Sequence, residues 1–338
     1  RNQIYNTTNA SNVYSRIMKK EDAKGVTNKD LNKFVAQEIK DVAKEKEIYL
    51  FKDQSVAISI SDSPEIDMLG FSFEHQKNLI TEITRYLIIH GSNLIYGGDL
   101  RQNGYTRLFS DLVYQYRPTN EANKKFFKNY FSFPIHLNLK TSDELEFKKN
   151  GVEPIKVEAP EHLDLDTSKF YTPDTVENLF IWAESLSKMR KEMQSSNSAR
   201  IFTGGSMSNF KGKYPGLLEE ALLALKENTP VYLAGIFGGM TKRIIEGIQG
   251  KKSKELTLEW QSNENEMYKD FVAYYNSKKK ENTIDYSKCT KWLNCYTLDR
   301  LSENNGLTVE ENKRLFTTVH TSEVVFLVMK GLLNVLKE

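Results

Sequence analysis

The chain has 338 residues, 39% of them apolar and 11% aromatic, with 18 glycines and 8 prolines, a composition that excludes the collagenous, low-complexity and disordered classes and supports a buried core. Its 47 basic and 45 acidic residues leave a formal charge of +2, so no global field recommends a nucleic acid or an anionic membrane as the main partner. No window approaches the ~20 apolar residues of a membrane-spanning helix, and two cysteines, Cys289 and Cys295, build neither a disulfide framework nor a zinc site. A cytoplasmic protein is expected, and the opening at Arg1, with no targeting pattern after it, suggests a further domain upstream.

Residues 1–50 read as a polar linker and a helix over 26–42, where Leu31, Phe34, Val35 and Ile39 recur at helical spacing. From 51 to 338 the pattern is that of one domain. Residues 56–60 form a β-type run that enters the turn Ser61-Asp62-Ser63-Pro64, and an amphipathic helix follows over 75–90, closing at Gly91. A second strand over 93–96 ends in Gly97-Gly98-Asp99, a helix spans 106–116, and 131–139 alternates as a third strand. Between 140 and 172, Gly151, Pro154, Pro160 and acidic clusters break the pattern, which reads as a long surface loop or small insertion. Helical spacing resumes over 173–193. A strand over 199–203 then enters Gly204-Gly205, a helix spans 215–226, and a strand over 231–234 enters Gly235 and Gly238-Gly239. The tail, 264–338, reads as helical. Five strands alternating with helices predict a Rossmann-like, doubly wound α/β fold: a mainly parallel five-stranded sheet, helices on both faces, and helical segments added at both ends.

Three of these strand ends share glycines, which let a backbone approach another group closely. In an open parallel sheet the carboxyl ends of the strands form the ligand crevice, and helix N-termini there offer free N–H groups to an anion. A phosphate-bearing nucleotide is the natural occupant. No Walker A lysine follows any of the turns, and no G-x-G-x-x-G carries a matching acidic residue, which excludes a standard dinucleotide dehydrogenase site. Asp99, Arg101 and Thr106 in the first loop, Lys211 and Lys213 in the second, and Thr241 and Lys242 in the third either complete such a site or are solvated loop residues. Glu219 and Glu220 are paired carboxylates near a strand end, able to bind ribose hydroxyls or assist glycosidic cleavage, or simply exposed on a helix. The five histidines show no metal spacing. Lys278-Lys279-Lys280 with the nearby tyrosines reads as a solvated helical face rather than a strip for single-stranded nucleic acid.

The runs Ile58-Ser59-Ile60-Ser61, Leu94-Ile95-Tyr96-Gly97-Gly98-Asp99, Arg200-Ile201-Phe202-Thr203-Gly204-Gly205 and Tyr214-Pro215-Gly216-Leu217-Leu218-Glu219-Glu220 together resemble the SLOG superfamily. That superfamily includes the Lonely-guy phosphoribohydrolases, DNA-uptake proteins of Smf type, and sensor domains of bacterial defence proteins and TRPM channels. The stretch Tyr96-Gly97-Gly98-Asp99-Leu100-Arg101, continued by Gly104-Tyr105-Thr106, looks most like the sensor branch called dGSLs. The resemblance implies a Rossmann-like sheet with a nucleotide pocket at its carboxyl edge. It implies an NAD-derived ligand of the ADP-ribose or cyclic ADP-ribose type, a linked effector of TIR or sirtuin type, a homo-oligomer and a role in antiviral defence, with no bound cofactor or metal. The ligand-binding residues it implies are Ser61, Asp62, Gly97, Gly98, Asp99, Arg101, Gly204, Gly205, Gly238 and Gly239, to which Thr106 and Lys211 are added from the same loops. The alternative is a Lonely-guy-like nucleoside monophosphate N-glycosidase using Glu219 or Glu220 with Arg190. The Pro-Gly-Gly-x-Gly-Thr-x-x-Glu signature of those enzymes is broken here, since Pro215-Gly216 follows Gly204-Gly205 only after an intervening loop.

Overall fold

Six strands organise the computed structural model of the protein, which describes residues 49–118 and 124–336. They are β1 (Ser55–Ser61), β2 (Asn93–Gly97), β3 (Phe127–Ser132), β4 (Val152–Val157), β5 (Ala199–Gly204) and β6 (Val231–Ala234). All neighbours pair in parallel, in the order β4-β3-β2-β1-β5-β6. The intervening helices are α1 (Phe73–Ile89), α2 (Tyr105–Tyr116), α3 (Thr141–Asn150), α4 (Val176–Ser195), α5 (Gly216–Lys226) and α6 (Gly239–Ile248). The helical tail holds α7 (Leu258–Glu264), α8 (Tyr268–Lys278), α9 (Tyr286–Cys295), α10 (Leu298–Asn305), α11 (Val309–Thr317) and α12 (Thr321–Val335). The helix expected over 26–42 lies outside the described residues.

The period of two along the strands explains the layering. Val56, Ile58 and Ile60 join Ile80, Ile83 and Leu87 of α1 in one core, whereas Ala57 faces Met189 and Met193 of α4. Tyr232 and Ala234 of β6 belong to the α1 side, while Val231 and Leu233 pack with α5 and α6. A strand covered on both faces must be apolar at nearly every position, as these are.

Two expectations need correction. The sheet has six strands, not five, because the stretch read as a loop or insertion holds α3 and β4. β4 reads poorly as a strand because it is an edge strand with Glu153, Pro154 and Lys156; a proline costs no ladder bond where its missing N–H faces outward. The third strand begins at Phe127 and ends at Ser132, and the alternation over 133–139 belongs to a turn and the short 3-10 helix Ile135–Asn138 after Pro134.

The opposite edge is closed by side chains. Val231 N–H donates to Asn304 Oδ1 at 2.9 Å, and Asn305 Nδ2 donates to Val231 O at 2.9 Å, so the end of α10 completes the ladder that β6 cannot complete alone. Asn305 is fully buried and also bonds Asn312 and Leu307. Asn305→Ala is expected to lower unfolding free energy by about 1–3 kcal/mol, the cost of stranding buried backbone groups. A shift of the urea midpoint at constant slope is the check.

Candidate functional site

The chain leaves the sheet in opposite directions after β1 and β5, and these two strands are neighbours with Ser61 opposite Gly204. That is the topological switch point, where an open α/β sheet has its crevice. Gly204 and Gly205 take φ of +63° and +107°, values that side-chain-bearing residues rarely adopt. A Cβ on Gly204 would stand 2.2 Å from Gln76 Nε2 and 2.8 Å from Ser61 O. The turn spends its amides on β1: Gly205 N–H donates to Ser61 O and Ser206 N–H to Ser61 Oγ, both at 2.9 Å. Gln76, from α1, also donates to Ser61 O, at 3.2 Å.

Arg101 brings a cation to this edge. Asp99 Oδ1 accepts Arg101 N–H at 3.0 Å and Asp99 Oδ2 accepts its Nη2 at 3.1 Å, while Nη1 lies 3.8 Å from Asp62 Oδ2. Tyr105 OH donates to Asp62 Oδ1 at 3.2 Å; burial, and then Asp62, push this phenol far up, so it stays a donor. The guanidinium is 61% exposed and Asp62 is 50% exposed, so both are available to a ligand. Beneath them Thr106 Oγ1 accepts Asp99 N–H at 3.1 Å and Asn129 Nδ2 at 3.3 Å. Thr106 is buried and supports the loop from below.

Of the remaining expected residues, Gly98 donates to Tyr130 O at 2.7 Å, and Gly97 faces Met189 and Met193 of α4. Gly239 packs against the β5 turn, so that a Cβ on it would stand 2.5 Å from Gly205 O, whereas Gly238 faces Glu65 and Leu69. The N-terminus of α6 holds a carboxylate from the protein itself: Gly239 N–H donates to Glu65 Oε2 at 2.8 Å, and Arg243 bonds the other oxygen. Lys211 is exposed on the loop between β5 and α5. The structure therefore brings Ser61, Asp62, Asp99, Arg101, Gly204 and Gly205 to one edge, with Gly238 and Gly239 as the packing beside it. Glu65, Gln76 and Tyr105 were not anticipated; only Tyr105, inside the Gly104-Tyr105-Thr106 motif, carried a signal.

Glu219, Glu220 and Arg190 do come together, as a buried ion network under α5. Arg190 Nη1 donates to Glu219 Oε2 and Ser187 Oγ to Glu219 Oε1, each at 2.6 Å, and Lys213 Nζ lies 3.5 Å from Glu219 Oε1. Glu220 accepts Arg200 Nη1 at 2.9 Å and the Ser59 hydroxyl. All four main charges are at least nine-tenths buried, Arg200 completely. Burial alone would raise the Glu219 carboxyl, but Arg190, Lys213 and Ser187 outweigh it and hold the group below the usual carboxylate range. A group so held is ionised at neutral pH with both oxygens engaged, which suits an anchor and not a proton donor. Among the described residues no cluster of three or more His, Cys, Asp or Glu side chains is placed to hold a metal ion.

With this crevice on the sheet edge, the SLOG cluster2 family model matches residues 50–315, and the chain belongs to the SLOG superfamily. Membership is compatible with binding or processing a nucleotide-related ligand. A search of curated proteins returns no match to the chain. Among the described residues no helix is long and apolar enough to cross a membrane.

Glu219→Gln leaves Arg190 buried with its main counter-charge gone, and is expected to cost about 3–5 kcal/mol at pH 7. Because the folded-state pKa is depressed, this contribution is complete above the unfolded value of about 4.3 and is lost as pH falls through the lower folded value. Denaturant titrations of both proteins from pH 7 downward should show the gap constant to about pH 5 and narrowing below it.

Proposed function

We propose that this SLOG domain senses an NAD-derived nucleotide, of the ADP-ribose or cyclic ADP-ribose type, in the crevice beside Ser61 and Gly204. The observation that carries the reading is Arg101: an exposed guanidinium at the carboxyl edge, bracketed by Asp62 and Asp99 and bonded closely only to the second. A diphosphate offers Arg101 charge-assisted bonds better than its 3.8 Å approach to Asp62. Asp62, released, accepts a ribose hydroxyl, and Tyr105 supplies a fixed donor beside it. The Ser61 hydroxyl and the exposed Ser206 line the same edge.

Asp62 and Glu65 lie on one loop, so a ligand that redirects Asp62 also acts on the segment that caps α6. In this reading that loop passes occupancy to a linked effector of TIR or sirtuin type, within a homo-oligomer in the cytoplasm, as part of antiviral defence. The resemblance of the Tyr96 to Thr106 stretch to the dGSLs branch supports this part. The glycosidase alternative draws on the meeting of Arg190 with Glu219, but the engaged, ionised state of Glu219 weighs against it.

Thermal unfolding with ADP-ribose, cyclic ADP-ribose, NAD or AMP, coupled to mass spectrometry of the mixtures, is the test. The expected result is a midpoint raised by ADP-ribose or its cyclic form, with the ligand recovered intact. Arg101→Ala, exposed and harmless to the fold, should weaken that binding about 10- to 100-fold. Equal affinity in the variant defeats the site, and release of free base or ribose phosphate defeats the sensing role.

A further inference from the structure

A second concave site lies away from the nucleotide crevice. Between α4, residues 160–162 after β4, and residues 277–282 at the end of α8 is a cleft of about 840 Å3, within the ~300–1,000 Å3 typical of small-ligand pockets. None of Ser61, Asp62, Asp99, Arg101 or the paired glycines lines it. Six lysines do: Lys188, Lys191, Lys213, Lys278, Lys279 and Lys280, set against three carboxylates, Glu161, Glu184 and Glu281. These lysines come from α4, the α5 approach and the end of α8, segments distant in sequence that the fold turns toward one volume.

The lysines fall into two groups. Three are fixed: Lys279 Nζ lies 2.7 Å from Glu184, Lys213 Nζ 3.5 Å from Glu219, and Lys188 Nζ donates to Ala159 O at 3.3 Å. Glu184 is itself buried and is held by the Tyr275 hydroxyl as well as by Lys279. Burial would raise its pKa, but Lys279 and Tyr275 outweigh that and keep it ionised, so the positive rim has a fixed foundation. Lys191, Lys278 and Lys280 are exposed and have no acidic partner among the described residues, Lys278 Nζ lying over the Tyr274 ring at 5.4 Å. Six lysines against three carboxylates leave an excess of positive charge around one volume, and an anion placed there relieves the repulsion among them.

We propose that this cleft binds a compact polyphosphorylated anion, independently of the nucleotide crevice. Its lining selects for charge and not for a base: among the described residues His162 is its one ring, and these supply no aromatic platform on which a nucleobase or a nucleic acid strand would stack. Its bounded volume and the chain's near-neutral charge favour a small anion over a polymer. An occupant that bonds Lys213 also competes with Glu219 for it, which ties the cleft to the ion network under α5.

The test uses the 338-residue chain with sodium tripolyphosphate as probe, in calorimetry and thermal unfolding, against sulfate at matched ionic strength. Saturable one-to-one binding is expected, with a midpoint rise larger than that from sulfate. The double variant Lys191→Ala/Lys280→Ala, which touches none of the three fixed lysines, should bind about 10-fold or more weakly. Arg101→Ala should bind tripolyphosphate as the wild type does, so failure of the nucleotide reading and failure of this one are separable. Absence of saturable binding, or equal binding by the double variant, overturns the proposal. So does an oligothymidylate that displaces tripolyphosphate with affinity rising with strand length, since the cleft would then serve a nucleic acid.

Discussion

Parallel pairing of β1 with β5 sets the arrangement of everything functional. It places Ser61 beside Gly204, and the two chains then diverge toward α1 and α5. The gap they leave is closed below by the β5 turn, which hydrogen-bonds into β1 from Gly205 N–H to Ser61 O and from Ser206 N–H to the Ser61 hydroxyl. Glycine at 204 and 205 is a requirement of that junction, since a Cβ at either position meets atoms at under 3 Å. Arg101 reaches the same edge from the neighbouring strand, and its two aspartates come one from each side. The crevice is thus a by-product of topology, and its chemistry comes from the short loops that leave it.

Below the edge the sheet carries an unusual load. Ser59, Arg200, Arg190, Glu219 and Glu220 form buried polar contacts between the sheet, α4 and α5. Such networks give little net stability compared with apolar packing of equal volume, yet are costly to break. Their geometric effect is to fix α5 against the sheet at defined points. Ser187 and Lys213 extend the network outward to the lysine cleft, so one set of charges touches both the centre of the fold and a solvent-facing cavity.

Much of this fold was legible in the amino-acid order. β1, β2, β5 and β6 are apolar runs closed by serine or glycine, and the 3.6-residue spacing of α1, α4 and α5 stands out between them. β4 was not legible because an edge strand need be apolar on neither flank, and Pro154 is a breaker everywhere except at such an edge. The end of β3 was misplaced because alternation continues through Pro134 into residues that turn instead of pairing. At the site, the motifs located the turns but not their partners. Glu65 and Gly239 are 174 positions apart, and no local pattern announces a contact of that span. The pairing of Glu219 or Glu220 with Arg190 was open to sequence reasoning, but Arg200, which reaches Glu220 from β5, was not, because a fully buried arginine on a central strand has no local signature.

Glu65 at the start of α6 has a kinetic and thermodynamic meaning of its own. A carboxylate tethered through a short loop competes for the Gly239 amide at an effective concentration on the order of millimolar or higher. Background phosphate and chloride, which bind a helix terminus weakly, meet that competition at the α6 terminus, where the protein's own carboxylate already holds the amide. Access to it is then a property of the loop carrying Asp62 and Glu65, and is decided by whatever moves that loop rather than by how much anion is present.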